Sequence, residues 1–358
     1  MLRGHAGIVK RLTPIRCDPG VVVEGEIKVR WHRVGARASG GALLLGALLL
    51  ALAACGSEPK EPLRIGVNVW PPFELLYLAR EKGFFQQEGV EVDLVDFSSY
   101  TGILRSYHQG NIDGFLGTLN EVLLTENFQD LPAVILAADY SFGADALVVR
   151  DGITDLSHLR GRKIAFEESA LGSYVLGRVL ETAGLSGSDV VTINRLPEEG
   201  EEDFRRGQVD AVITYEPSVG RLLRESGARV LFSSRDIPGE IVDVMALRHS
   251  VLQGRTDEAR RILRAWFRAL AYMNDHPDEA AALMARREGV AVADFLQGLR
   301  GAHIPDLQEN RHLMGTSQQP GPLYQTADRM ARFLVQRGLA KKAASGSQVL
   351  HPEVLGSL

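Results

Sequence analysis

Cysteine is nearly missing: the 358 residues hold two, Cys17 and Cys55, so no disulfide framework can staple the fold and a buried core must suffice. The motifs His-Glu-x-x-His, Cys-x-x-Cys and His-x-His are lacking and the nine histidines are scattered, so no metal centre is expected. No glycine-rich phosphate loop with its lysine is present, and no cofactor is expected. Basic residues are not in excess: 40 Lys and Arg stand against 45 Asp and Glu, a net charge of −5, which speaks against a nucleic-acid partner. No Ser/His/Asp set can be assembled from spacing, and the formal Ser-x-x-Lys at Ser57–Lys60 precedes no helix. The chain is therefore not expected to be an enzyme. What remains is the composition of an ordinary globular protein, 45% hydrophobic and 24% charged.

The longest apolar run, Gly41 to Ala54, is short of the roughly 20 residues a membrane span needs. Lys28, Arg30, Arg33 and Arg37 precede it with no acid among them, and Leu52-Ala53-Ala54-Cys55 follows. A basic stretch, a short apolar stretch and small residues before a cut site make a secretory signal over 1–54. The tetrapeptide resembles the lipobox of bacterial lipoproteins, which implies cleavage before Cys55, its lipidation, and a membrane-anchored place in the cell envelope. Residues upstream of the basic stretch fit no signal peptide, and a start near Val29 is expected, with the rest a mis-assigned extension. Residues 55–62, rich in Pro, Gly and Glu, read as a tether.

From Leu63 onward helix and strand patterns alternate. Strands are expected at 63–69, 90–95, 112–116 and 133–137, with helices at 73–82, 101–109 and 119–127 between them. The pattern restarts with strands at 163–166, 190–194, 209–214 and 229–232, alternating with helices. His108-Gln-Gly-Asn-Ile-Asp113 and Arg205-Arg-Gly-Gln-Val-Asp210 echo each other, which suggests two similar α/β lobes. After a strand at 243–247 the chain turns helical, with Ile262, Leu263, Trp266, Phe267, Leu270 and Met273 at the spacing of a buried helix face. The expected fold is α/β and two-lobed, each lobe a mixed sheet flanked by helices, joined by two crossover segments. Lobe 1 is expected to comprise 63–148 and 244–340, and lobe 2 to comprise 149–243. The tail 341–358 is expected to be only partly ordered.

Asn68-Val-Trp-Pro-Pro-Phe-Glu to Gly83-Phe-Phe85 resembles the opening of the nitrate/sulfonate/taurine-type substrate-binding proteins of ABC importers. Gly110–Gly114, Leu159–Ile164, Gly207–Ala211, Thr214–Pro217 and Ile237–Asp243 resemble later landmarks of that family, in order. The resemblance implies a periplasmic-binding-protein fold of type II that closes on a small molecule, acts as a monomer and docks on a transporter permease. The thiamine-pyrimidine synthases that share this fold carry a cysteine-rich motif which is missing here.

Ligands of open α/β sheets sit at the carboxyl ends of strands, against helix N-termini. The junctions nominate Trp70, Glu74, Ser98, Ser99, Thr118, Asn120 and Glu121 in the first lobe and Glu168, Ser169, Gly172, Tyr215 and Glu216 in the second. Asp145 and Asp243, near the crossovers, complete the candidate ligand-binding set. Each has a competing plain role: the hydroxyls and carboxylates can cap helices, and Trp70 can simply pack. Collectively the junctions offer carboxylates and no Lys or Arg. Like charges at 4 Å oppose each other by about 4 kcal/mol at an effective dielectric near 20. A cationic or amino-heterocyclic ligand, such as a thiamine-pyrimidine precursor, is expected ahead of a nitrate or sulfonate held by backbone N–H groups. An envelope sensor reporting to a signalling partner is the other class left open.

Overall fold

A computed structural model describes residues 61–125, 130–224 and 227–358. The expected signal segment, Cys55 and most of the tether lie outside the described residues. Among the described residues, no helix is long and apolar enough to cross a membrane.

Two mixed sheets carry the molecule. The first contains β1 (Leu63–Asn68), β2 (Val92–Phe97), β3 (Gly114–Thr118), β4 (Pro132–Ser141), β10 (Val242–Arg248) and β11 (Ala302–His303), in the order β11-β4-β10-β3-β1-β2. The second contains β5 (Asp145–Val149), β6 (Lys163–Phe166), β7 (Val191–Asn194), β8 (Ala211–Tyr215) and β9 (Arg229–Ser233), in the order β7-β6-β8-β5-β9. Strands joined by helices run parallel: β2, β1 and β3 in one sheet, β7, β6 and β8 in the other. In each sheet one strand arrives from the other lobe, β10 in the first and β5 in the second, and both run antiparallel to their neighbours. A chain entering a sheet at the end where the lobes meet has to run away from that end. The first residues of β5 and β10 therefore lie beside the last residues of β8 and β3.

This topology moves the expected lobe boundaries. Asp145–Val149 is a strand of the second sheet and Val242–Arg248 a strand of the first, so the passages between lobes are 142–144 and 234–241, the first several residues before the expected crossing and the second ending two residues before the expected boundary. The apolar run of β5 conceals the boundary, because nothing in its composition distinguishes it from β4. Ser141 Oγ and Ser234 Oγ tie the two passages together at 2.8 Å.

The expected echo between the lobes is real at the level of bonds. Gly110 and Gly207 take φ of 80° and 73°, turning each helix end into the next strand. Asp113 Oδ2 then accepts from the backbone N–H of Arg64 at 2.9 Å, and Asp210 Oδ2 from that of Lys163, also at 2.9 Å. Arg248 and Arg150 each donate from Nε to the carbonyl one residue before those positions, Ile112 and Val209, and cover Tyr107 and Phe204 respectively. Asp113 and Asp210 thus pin strands together, at the end of each sheet away from the cleft.

The C-terminal helices return to the first lobe as expected. The helix His249–Asp275 buries Ile262, Leu263, Trp266 and Leu270, and its Arg264 and Arg268 hold Glu88. The tail does not behave as expected. Val349, Leu350, Val354 and Leu355 are buried, Leu350 bridges Val134 of β4, and Ala344 N–H donates to Leu123 O. These apolar side chains cover a face of the first sheet's core.

Candidate ligand cleft between the lobes

The candidate site lies where the strands β1, β3, β6 and β8 end and β5 and β10 begin. Thr118, last in β3, stands opposite Asp243 in β10, and Tyr215, last in β8, stands opposite Asp145 in β5. Asp145 and Asp243 are thus the same position in two related lobes. Asp243 also stands opposite Asp139 of β4. Antiparallel partners bring their Cα atoms to about 4.5–5.5 Å, so Asp139 and Asp243 face each other as neighbours.

Each lobe supplies a carboxylate that caps a helix of the other. Glu167, following β6, accepts from Thr101 N–H and Thr101 Oγ1 at 3.0 Å each, at the start of the helix Tyr100–His108. Glu121, following β3, accepts from Leu171 N–H at 3.0 Å, at the start of the helix Ala170–Ala183. Ser99 and Ser169 complete these two N-termini as local caps, accepting from Gly102 and Gly172 N–H at 3.1 Å each. Gly172 is needed there, because a Cβ would fall 2.0 Å from the Glu167 carbonyl oxygen. A third cross-lobe contact joins Asn68 Nδ2 to Tyr215 Oη at 3.4 Å. The Tyr215 ring packs 6.0 Å from both Trp70 and Tyr100.

Of the residues nominated from sequence, Trp70, Ser99, Thr118, Asn120, Glu121, Asp145, Ser169, Gly172, Tyr215 and Asp243 come together at this junction. Trp70 Nε1 donates to Asp139 Oδ2 at 3.1 Å. Thr118 Oγ1 accepts from Glu121 N–H, which leaves Asn120 beside it with neither amide atom partnered. Glu216 is buried and caps its own helix through Gly220 N–H at 2.8 Å. Ser98 and Glu168 are exposed. Both miss by one residue, since successive side chains at a strand end point to opposite faces and it is Ser99 and Glu167 that turn inward. Glu74 is buried but belongs to a separate group, where Arg287 Nη1 holds its Oε1 at 2.8 Å.

Sequence reasoning missed Asp139 and the inward role of Glu167. Asp139 ends an apolar run, Ala133–Ala138, and stands two residues past the expected strand end. The signal available was a lone acid in a strand fated to be wholly buried.

The cleft is acidic and short of partners. Asp139, Glu121, Asp243 and Asp145 are 0%, 2%, 2% and 4% exposed, and among the described residues none forms an ion pair with Lys or Arg. Asn68 Oδ1, Asp139 Oδ1, Glu167 Oε2, Thr214 Oγ1 and Asp243 Oδ1 are buried without a hydrogen-bond partner. Such groups are expensive to bury unless something fills their valences. Burial pushes Glu121 up to about 7 against its helix-cap bonds, and Asp145 up to about 6 against a bond from Ser141. Burial also raises Asp139, against bonds from Trp70 and Asp243, and raises Asp243 more strongly, with the nearby carboxylates of Asp139 and Asp145 adding to the effect.

These shifts have a definite sign for stability. A carboxyl whose folded value is raised stabilises the fold fully below its unfolded value, and that contribution is lost as pH rises through the folded one. For Asp145 and Glu121 the window runs from about 4 to about 7. The ligand-free protein is therefore expected to melt at a lower temperature at about pH 8 than at about pH 5. Scanning calorimetry at both values, with the same ionic strength, checks this, and a melting point that rises with pH would contradict it.

Comparison with known proteins follows the same outline. A protein of Bacillus subtilis (strain 168) assigned to aliphatic-sulfonate binding is 28% identical over 261 residues, covering 68% of this chain and 76% of its own length. A protein of Haemophilus influenzae assigned to thiamine biosynthesis is 24% identical over 305 residues, covering 83% of this chain and 92% of its own. The alkanesulfonate-binding protein SsuA from Xanthomonas axonopodis pv. citri, solved bound to MOPS, superposes with a TM-score of 0.69 at 17% identity, covering 82% of this chain and 99% of SsuA. The sequence profile described as NMT1/THI5 like matches residues 70–280, and the chain belongs to that family.

Proposed function

We propose that the chain is the solute-binding component of an ABC-type importer, which captures a small nitrogen-rich cation or amino-heterocycle between its two lobes. A precursor of the thiamine pyrimidine is one ligand of this kind. The carrying observation is the buried cleft lined by Glu121, Asp139, Asp145, Glu167 and Asp243, with no base among the described residues paired to any of them. Carboxylates and an aromatic face suit a cationic, hydrogen-bond-donating ligand. Two helix N-termini that would serve an anion are already taken by Glu121 and Glu167. The passages at 142–144 and 234–241 serve as the hinge. A lipid at Cys55 holds the protein, as a monomer, at the envelope membrane beside its permease.

The competing reading is an anion such as a sulfonate or nitrate, and the sulfonate-binding relatives favour it. Thermal unfolding of residues 56–358 separates the two. At 100 times its dissociation constant a ligand adds about 2.7 kcal/mol, visible as a shift of several degrees. Aminopyrimidines, amidines or quaternary amines are expected to produce it. A shift with taurine, alkylsulfonates or nitrate alone would overturn the cation and leave the carrier standing.

A further inference from the structure

Asp139 and Asp243 occupy opposed positions on two hydrogen-bonded strands, both almost fully buried, at the cleft end of the first sheet. Trp70 Nε1 holds one oxygen of Asp139, while Oδ1 of each aspartate has no partner. The groups that face the pair are Asp145 from β5 and Tyr100 from the helix Tyr100–His108, with Tyr215 from β8 and Glu216 beyond Asp145. None of these carries positive charge, and Asn120, buried beside Thr118, leaves both amide atoms open. Two adjacent carboxyls with no cation between them cannot both ionise at low cost, so one retains its proton and donates it to the other. Asp139 already has an N–H donor, which favours its ionised form and leaves the proton on Asp243.

We infer that Asp139 and Asp243 share one proton in the ligand-free protein and release it to solvent when a cationic ligand enters the cleft. The ligand's charge and N–H donors take the place of the proton, no other bond is made or broken, and net charge in the cleft is unchanged. The inference rests on the cationic-ligand reading above for its second half only. It makes the pair a specificity element. A neutral isostere of the ligand cannot displace the proton, and affinity for the cation is expected to rise about tenfold per pH unit until the pair has lost its proton.

Two measurements test it. In the first, the folding equilibrium of the ligand-free protein is followed from about pH 5 to about pH 8 in wild type and in Asp243→Asn, whose amide gives Asp139 a permanent donor. Wild type is expected to lose up to tenfold more in its folding constant per pH unit than the variant; equal slopes would overturn the shared proton. Asp139→Asn serves the same comparison should Asp243→Asn fold poorly. In the second, the permanent cations benzamidine and choline are titrated calorimetrically in two buffers of different ionisation enthalpy. Release of about one proton per molecule bound by wild type, and of almost none by Asp243→Asn, is the expected result. A probe that binds without buffer dependence overturns the release while the cationic reading stands. Binding of a sulfonate alone overturns that reading and the release with it, while the folding slopes still decide whether the pair holds a proton.

Discussion

Replacing Glu121 and Glu167 together by alanine is expected to open the lobes and to weaken ligand capture by two orders of magnitude or more. Each carboxylate crosses the cleft to cap the opposite lobe's helix, Glu121 on Leu171 N–H and Glu167 on Thr101. A hydrogen bond to a charged group contributes about 1.5–3 kcal/mol net, so losing both shifts the closed-to-open ratio by roughly a hundredfold or more. Apparent affinity falls with the closed fraction, because a ligand held between lobes has to draw them together at its own expense. Small-angle scattering of the ligand-free double variant would show a larger radius of gyration than wild type. An unchanged radius together with an unchanged dissociation constant would mean that the caps do not hold the lobes. Glu121→Gln and Glu167→Gln test charge separately from contact. A glutamine oxygen can still accept the N–H bond, so the glutamine variants are expected to stay closed.

If the ligand is cationic as proposed, the reciprocal caps give a physical reason why a fold shared with sulfonate carriers would admit it. The N-termini of the helices Tyr100–His108 and Ala170–Ala183 carry partial positive charge and free N–H groups, the usual berth of an anion. Here that berth is filled from within. An anionic ligand would have to displace Glu121 or Glu167 and then sit near Asp145 and Asp243, whereas a cation meets those same acids as counter-charges.

Much of this was legible in the residues. Alternation and glycine placement located β1, β3, β6 and β8 within two residues, and the two Gly-x-x-Asp echoes exposed the internal repeat. Caps were legible because Ser99 and Ser169 precede helix patterns directly. What was hidden depended on pairing between distant strands. β5 looks like any apolar strand, so only its partners β8 and β9 reveal the lobe it belongs to. Asp139 and Asp243 are far apart in sequence, and their encounter follows from the antiparallel register of β4 and β10. Which of two adjacent residues faced inward, Glu167 or Glu168, turned on a one-residue register that composition does not encode.

Trp70→Ala and Trp70→Phe are expected to part company, and the difference isolates the indole N–H. Trp70 is 2% exposed and packs on Tyr215, so truncation to alanine should cost about 3–5 kcal/mol of stability. Phenylalanine keeps most of the apolar contact but removes the donor from Asp139 Oδ2. An abandoned buried acceptor costs about 1–3 kcal/mol, and the cost is greater when Asp139 is ionised than when it is protonated. The N–H now favours the ionised form, so without it Asp139 moves higher still and the sign of the pH effect is fixed. Trp70→Phe should lie about 1–3 kcal/mol below wild type at about pH 5, and the gap should widen towards about pH 8 as the pair loses its shared proton. Denaturant unfolding at several pH values would read this directly. A constant gap between Trp70→Phe and wild type would mean that the indole N–H has no influence on how the Asp139–Asp243 pair gives up its proton.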